Sequence, residues 1–353
     1  MSSQTALTPA VDQLASQRVA VQSVALQSVA VQRVSVQPVV DYGTVPGYGP
    51  VFNAGLLHHD GRYHLFARAI RDGYWRNEGP GPRFHDYISD IIVFTSADGH
   101  DYEFGYVLAT ADDEIWSFED PRVQTVMHNG DEHIVMTYTR LPPPERGGPW
   151  RIGAHRLEYR DGRFHLDEAS SRHLGPDGVP NKDAVIFPLA DGRVALMHRI
   201  HPNMQVAMFD DLHHLWHADD AYWDDHLAHL DRHTIIEPGH GVSGVGAGAP
   251  PLATEQGLLL FFHERSERGV YTINVALLDP YTAQVIAILP DALMEPELSW
   301  ERVGDVDEVV FVQGVHRRSD GTIYLTYGAA DRCVGAVTVD ERALLDALVP
   351  LVA

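Results

Sequence analysis

The chain is poor in cysteine, with a single one, Cys333, among 353 residues. That excludes an intramolecular disulfide framework and a cysteine-based zinc cluster, and it fits a reducing compartment. Basic residues are also scarce: 26 Lys plus Arg stand against 49 Asp plus Glu, a formal net charge of −23. Phosphate-backbone binding depends on clustered cations, so this balance argues against a nucleic-acid partner. Any anion the protein holds must sit in a local basic pocket set against the global field. No apolar run is long enough to span a membrane, so no membrane association is expected. The opening MSSQTALTPAVDQL has neither the basic stretch nor the apolar run of a secretory signal, and a cytoplasmic setting is the expectation.

What is abundant is short strand. Hydrophobic residues make up 44% of the chain, enough to bury a sizeable core. They fall in runs of five to eight residues behind turn signals: DGRYHLFARAI, NGDEHIVMTYTR, DGRVALMHRI, EQGLLLFFHER and DGTIYLTYGAADR. The turn glycines Gly61, Gly130, Gly192, Gly257 and Gly321 stand 69, 62, 65 and 64 residues apart. Five near-equal units of several strands each describe a radial β-repeat, and the expected fold is all-β, a five-bladed β-propeller over residues 41–353. A β-sandwich with long loops would not explain the even spacing. A short C-terminal helix is expected over DERALLDALVPLV, with Asp340 as its N-cap. Residues 19–40 repeat a Val-rich pentapeptide with Gln at every fifth position. Residues 1–40 read as a low-complexity, disordered N-terminal extension with no core of its own.

The strands of the repeat end in charged or hydrogen-bonding groups: Arg68, Arg140, Arg199, His263 with Glu264, and Asp331. Equivalent strand ends of successive blades would converge on one pocket. Within WSFEDPRV, the proline after Glu119–Asp120 pushes the preceding residue to extended backbone. Neighbouring side chains of an extended segment point to opposite faces, so one of the two acids is expected in the pocket.

EDPRV, NKDAVIFP, GAGAPP followed by LLLFFH, and YGAAD, in that order, resemble glycoside hydrolase family 130. The resemblance runs from Asn53 to Asp331. It implies a five-bladed propeller that cleaves β-mannosides with inversion, mostly as a phosphorylase giving α-mannose 1-phosphate. By the same resemblance Asp120 is the catalytic acid, its proton reaching the glycosidic oxygen through the 3-hydroxyl of the bound mannose. Asn53, Arg68 and Asp331 match sugar-binding positions, and Lys182, Arg199, His263 and Tyr271 match positions that hold phosphate. The partners implied are a β-linked manno-oligosaccharide or mannosyl disaccharide and inorganic phosphate as co-substrate, with no other cofactor. A homo-oligomer is left open.

Two positions depart from the family's phosphorylases. Gly244 of GVGAG stands where a lysine is usual, with His240 nearby as a replacement. Glu264 follows the FFH histidine where glycine is usual, with Glu267 close behind. A carboxylate there could activate water, so the alternative is an inverting β-1,2-mannosidase with Glu264 or Glu267 as base. A propeller that binds glycans without catalysis is the reading from another class.

Other signals carry less. His213 and His217 have a spacing that would share one helix face, but LHHLWHADDAYWDDHLAH reads as solvated surface or, as an insertion beside the pocket, as a contact for the sugar acceptor, and no metal site is expected. GVSGVGAGAPP lacks the Lys-Ser/Thr ending of a phosphate loop. Trp75, Trp116, Trp150 and Trp216 are candidates either for stacking on sugar or for the core.

Overall fold

Runs such as HLFARAI and LLLFFH form five antiparallel meanders in the computed structural model, which describes residues 29–80, 82–128 and 130–351. The first meander runs through Tyr48–His59, Arg62–Arg71, Ser89–Ser96 and Glu103–Ala109, and the second through Ser117–His128, Asp131–Leu141, Arg151–Arg160 and Arg163–Leu174. Lys182–Pro188, Val194–Arg199, Met204–Phe209 and Thr234–Ile236 make the third. The fourth is built on Val242–Ala247, Gly257–Ser266, Tyr271–Leu278 and Val285–Ile288, and the fifth on Val310–Arg317, Thr322–Ala329 and Cys333–Asp340. The first two share one sheet through a single parallel pairing, Ser89 with Ser117. The architecture is all-β, and among the described residues no sheet closes on itself. Each of the five turn glycines has a positive φ, from 70° at Gly61 to 147° at Gly257, a backbone open to glycine at little steric cost.

Alternating apolar residues bury one face of each meander against the next. Phe66 and Ile91 meet Val123 and Met136 between the first and second. Val126 and Val135 meet Ile186 and Leu196 between the second and third, and Phe187 and Met197 meet Leu260 and Phe262 between the third and fourth. Leu259 and Phe261 pack on Val310 and Val312 between the fourth and fifth. The fifth cluster joins the last meander to the first, with Tyr324 and Val334 on Val51 and Leu65.

Residues 29–40, the described part of the expected extension, pack on the fifth meander. Val31–Arg33 pairs antiparallel with the last strand of the fifth meander, Val31 opposite Val339 and Arg33 opposite Val337. The exposed edge of Cys333–Asp340 thereby gains a partner, and Arg33 reaches the buried Glu301 and the Tyr327 hydroxyl. The rest of the pentapeptide repeat lies outside the described residues. At the other end Glu341–Ala347 is helical, and the Asp340 carboxylate accepts from the Ala343 N–H at 2.7 Å.

The His/Asp-rich segment is not an open loop. It folds into three short helices, Leu212–Trp216, Asp220–Ala228 and Leu230–His233, inserted before the last strand of the third meander. Asp211 and Asp219 cap the first two, while Leu212, Leu215, Trp216 and Trp223 are buried. Among the described residues no group of three or more His, Cys, Asp or Glu is arranged to hold a metal ion. No helix of the described residues is long and apolar enough to cross a membrane.

Candidate active site

The first strands of the first three meanders are bulged. Register shifts fall between Phe52 and Gly55, between Glu119 and Arg122, and between Lys182 and Val185. At each bulge a residue adopts left-handed backbone: Asn53 with φ 46°, Asp120 with φ 52° and Asp183 with φ 54°. Asn and Asp are the non-glycine residues that tolerate this region best, and a bulge re-aims the side chain it carries. All three side chains turn into one cavity of about 110 Å³.

That cavity is lined by every residue assigned above to acid, sugar or phosphate: Asp120; Asn53, Arg68 and Asp331; Lys182, Arg199, His263 and Tyr271. Glu119 and Asp183 line it as well. The expectation that only one of the two adjacent acids enters the pocket is therefore corrected. Extended alternation holds for regular strand, and the left-handed turn at Asp120 breaks it, so Glu119 and Asp120 both reach Arg68.

At one end of the cavity three carboxylates surround one arginine. Asn53 Nδ2 donates to Asp120 Oδ1 at 2.8 Å, and Arg68 Nη1 lies 3.5 Å from the same oxygen. Arg68 Nη2 donates to Glu119, and its guanidinium lies over the Phe52 and Tyr87 rings at 5.1 and 5.6 Å. Burial opposes the Arg68 charge, but Glu119 and Asp120 outweigh it and raise its pKa. Asp331 is pushed up to about 7, first by burial and then by Asp120 and Glu119, against the pull of Arg68.

The other end is rich in cations. Asp183 is buried, with Arg199 Nε at 3.0 Å and His263 Nε2 at 3.6 Å from Oδ2, and Arg122 Nη2 at 3.2 Å from Oδ1. Burial works to raise the Asp183 carboxyl, yet Arg199, His263 and Arg122 hold it well below the usual carboxylate range. Burial lowers the His263 imidazole to about 3, so it is neutral near pH 7. Lys182, Arg199 and Arg122 therefore face one carboxylate, which leaves this end net positive in a chain of net charge −23. Lys182 is the only lysine in the chain, and its Nζ lies 5.9 Å from the centre of the Trp150 ring. The ring nitrogens of His263, Nδ1 and Nε2, are buried without a hydrogen-bond partner. Buried polar atoms of this kind are costly unless a ligand uses them.

The structure keeps several other residues out of the cavity. Arg140 lines a separate depression with Arg146 and Arg151. Glu264 is half-buried and Glu267 exposed, and neither lines the cavity. His263 and Glu264 are neighbours on regular strand and face opposite sides. His240 is exposed and outside the lining. Trp216 is core, its Nε1 donating to the Ser170 carbonyl, whereas Trp75 and Trp150 are about half exposed. Trp116 is half-buried and does not line the cavity. Asp183 and Arg122 stood inside quoted motifs with no role assigned. The signal that points to Asp183 is its place in NKD near the start of the third meander's first strand, matching Asp120 near the start of the second meander's first strand.

A test of the three-carboxylate end follows from Asp331. Unfolded, an aspartate titrates near 3.9, whereas the folded group titrates near 7. Between these values the folded state binds more protons, so this group's contribution to stability falls as pH rises from about 4 to 7. Asp331→Asn removes the penalty. Its Tm relative to the unaltered protein should rise between pH 5 and pH 8, by roughly 1–2 °C for each kcal/mol relieved. A Tm difference that does not change with pH would contradict the assignment.

A family profile described as beta-1,4-mannooligosaccharide phosphorylase, of glycoside hydrolase family 130, matches residues 27–349. A 1,2-beta-oligomannan phosphorylase of Thermoanaerobacter sp. (strain X514) is 29% identical, with 83% of this chain and 90% of the relative covered. A beta-1,2-mannobiose phosphorylase of the same organism is 30% identical over the same shares. Among solved structures, the beta-1,2-mannobiose phosphorylase of Listeria innocua in complex with beta-1,2-mannobiose superposes with a TM-score of 0.68. It is 19% identical and covers 90% of this chain and 98% of its own.

Proposed function

The chain belongs to glycoside hydrolase family 130, and from that premise we propose that it is an inverting β-mannoside phosphorylase acting on β-1,2-linked manno-oligosaccharides. The observation that carries the reading is the polarity of one cavity, with carboxylates around Arg68 at one end and Lys182 and Arg199 at the other, where Arg122 behind the wall offsets the Asp183 charge. We read the five meanders as blades of a propeller around this cavity. The apolar clusters support that reading, since they link each meander to the next and the fifth back to the first.

In this reading mannose sits against Asn53, Arg68 and Asp331, and Asp120 is the acid. Asn53 and Arg68 both engage Asp120 Oδ1, and we assign the transferred proton to Oδ2. That proton passes to the sugar 3-hydroxyl as the 3-hydroxyl proton passes to the glycosidic oxygen. The C1–oxygen bond breaks, and a phosphate oxygen forms its bond to C1 from the opposite face. The products are α-mannose 1-phosphate and a glycan one residue shorter. A fixed set of cations suits a dianionic nucleophile, and Lys182 and Arg199 supply charge-assisted donors. Neutral His263 contributes a hydrogen bond without needing to ionise.

The hydrolytic alternative requires a base across the cavity from the acid. Glu264 and Glu267 lie outside the cavity, and the carboxylate at its cation-rich end, Asp183, is engaged by Arg199 and Arg122. The deciding experiment incubates the purified protein with β-1,2- and β-1,4-linked manno-oligosaccharides with and without inorganic phosphate. Mannose 1-phosphate formed only when phosphate is supplied is the expected result. Free mannose at a rate indifferent to phosphate would overturn the proposal.

A further inference from the structure

The cation-rich end of the cavity continues outward along the strand Val242–Ala247. A Cβ on Gly246 would stand 2.5 Å from Asp183 Oδ2 and 2.5 Å from His263 Cε1, so this face of the strand presses on the cavity wall. Gly244 lies two residues back and shares that face. Gly246 pairs with His263 and Gly244 pairs with Arg265. Residues directly opposite in an antiparallel pair lie on the same side, so Arg265 stands one step outward from His263 on the same wall. Its guanidinium lies 5.8 Å from the centre of the Tyr271 ring, and Nη1 donates to Ser243 Oγ at 3.1 Å.

The space outside Gly244 is taken by His201. A Cβ on Gly244 would meet His201 Cε1 at 3.1 Å and Nδ1 at 3.3 Å. The backbone fixes this approach, because the Val245 N–H donates to the Pro202 carbonyl at 3.1 Å. Both His201 and Arg265 are exposed to solvent. Arg199, Lys182 and Arg265 are the charged groups that act on the His201 ring, and all three are cations.

We propose that His201 and Arg265 form an outer anion-binding step, which meets inorganic phosphate at the cavity mouth, stays in reach of it once it seats among Lys182, Arg199 and His263, and is crossed by the sugar phosphate on leaving. This rests on the phosphorylase reading and adds a site to it. A chain of net charge −23 repels a dianion at long range, and a local cationic step at the cavity mouth reverses the field where capture happens. His201 also gives the step a pH response. Burial and the three cations lower its pKa in the free protein, and a dianion against the ring raises it again. Phosphate capture then takes up a proton, and it weakens as pH rises through the imidazole range.

The test measures phosphate binding directly by calorimetry with inorganic phosphate, alongside steady-state phosphorolysis, for the unaltered protein, His201→Gln, Arg265→Gln and Arg265→Lys. The two glutamine variants should weaken phosphate binding and raise the phosphate KM by about 5- to 30-fold, the worth of one charge-assisted contact. The kcat at saturating phosphate and the oligosaccharide KM should stay within about twofold on the same scale. Arg265→Lys should recover most of the loss, and His201→Gln should flatten the pH dependence of phosphate affinity. Unchanged phosphate affinity in both glutamine variants, while the unaltered protein binds phosphate and turns over, would overturn the outer step and leave the phosphorylase reading standing. An unaltered protein that neither binds nor requires phosphate would overturn both.

Discussion

Replacing Asp120 by Asn lowers kcat/KM for phosphorolysis by about 10³-fold or more, within the range for loss of a positioned general acid plus its charge. The expected loss is in kcat, with the oligosaccharide KM little changed, because Asn keeps the volume and the oxygen that accepts from Asn53 Nδ2. Arg68 retains Glu119, so the arginine is not stranded when Asp120 becomes neutral. Folding should not suffer. Asp120 is one of the charges that raise the Asp331 pKa, and its removal relieves a like-charge contact. Circular dichroism and oligosaccharide binding by calorimetry therefore accompany the rate measurement. A variant that binds sugar normally and turns over at more than about a tenth of the original rate would remove Asp120 from the acid's role.

The fold was legible because its periodicities are local. Turn glycines at near-equal spacing mark five hairpins, and alternating apolar residues within each run mark the faces that meet between neighbours. The resemblance of four short motifs to one family then brought together eight residues that line a single cavity. What stayed illegible depends on geometry that composition does not encode. The alternation argument separated Glu119 from Asp120, and a left-handed residue at a bulge reunites them. The same geometry brings Asp183 into the cavity. Glu264 looked like a base because it follows His263 in the chain, but on regular strand the next residue faces away. The Val31–Arg33 strand was hidden by the repetitive composition around it, since edge pairing is decided by the partner's unpaired backbone rather than by the segment itself.

The second large effect concerns Arg122, which no reading of the motifs had assigned. Its side chain is almost fully buried and makes four contacts. Nη1 donates to the Asp120 carbonyl at 2.9 Å, Nη2 to the Ala247 carbonyl at 2.9 Å and to Asp183 Oδ1 at 3.2 Å, and Nε to the Gly248 carbonyl at 3.1 Å. One guanidinium thus ties the acid-bearing strand of the second meander to the third and the fourth. In Arg122→Met the Asp183 carboxylate keeps Arg199 at 3.0 Å, so it is not left alone, which softens the penalty for breaking a buried ion pair. The three carbonyls lose the donor they shared, at about 1–3 kcal/mol for each buried group left unsatisfied. A loss of at least ~3 kcal/mol is expected, and at roughly 1–2 °C per kcal/mol for a chain of this length the Tm falls by about 4 °C or more. Arg122→Lys keeps the charge but cannot span all four acceptors, so it should fall between the two. Losing this cation also makes the cation-rich end of the cavity less positive, and on the proposed function the residual activity of Arg122→Met should show a raised phosphate KM that Arg122→Lys largely restores. A Tm within a degree or two of the unaltered protein would mean that the three strands are held by their apolar contacts alone. A normal phosphate KM beside a lowered Tm would confine Arg122 to holding the strands together.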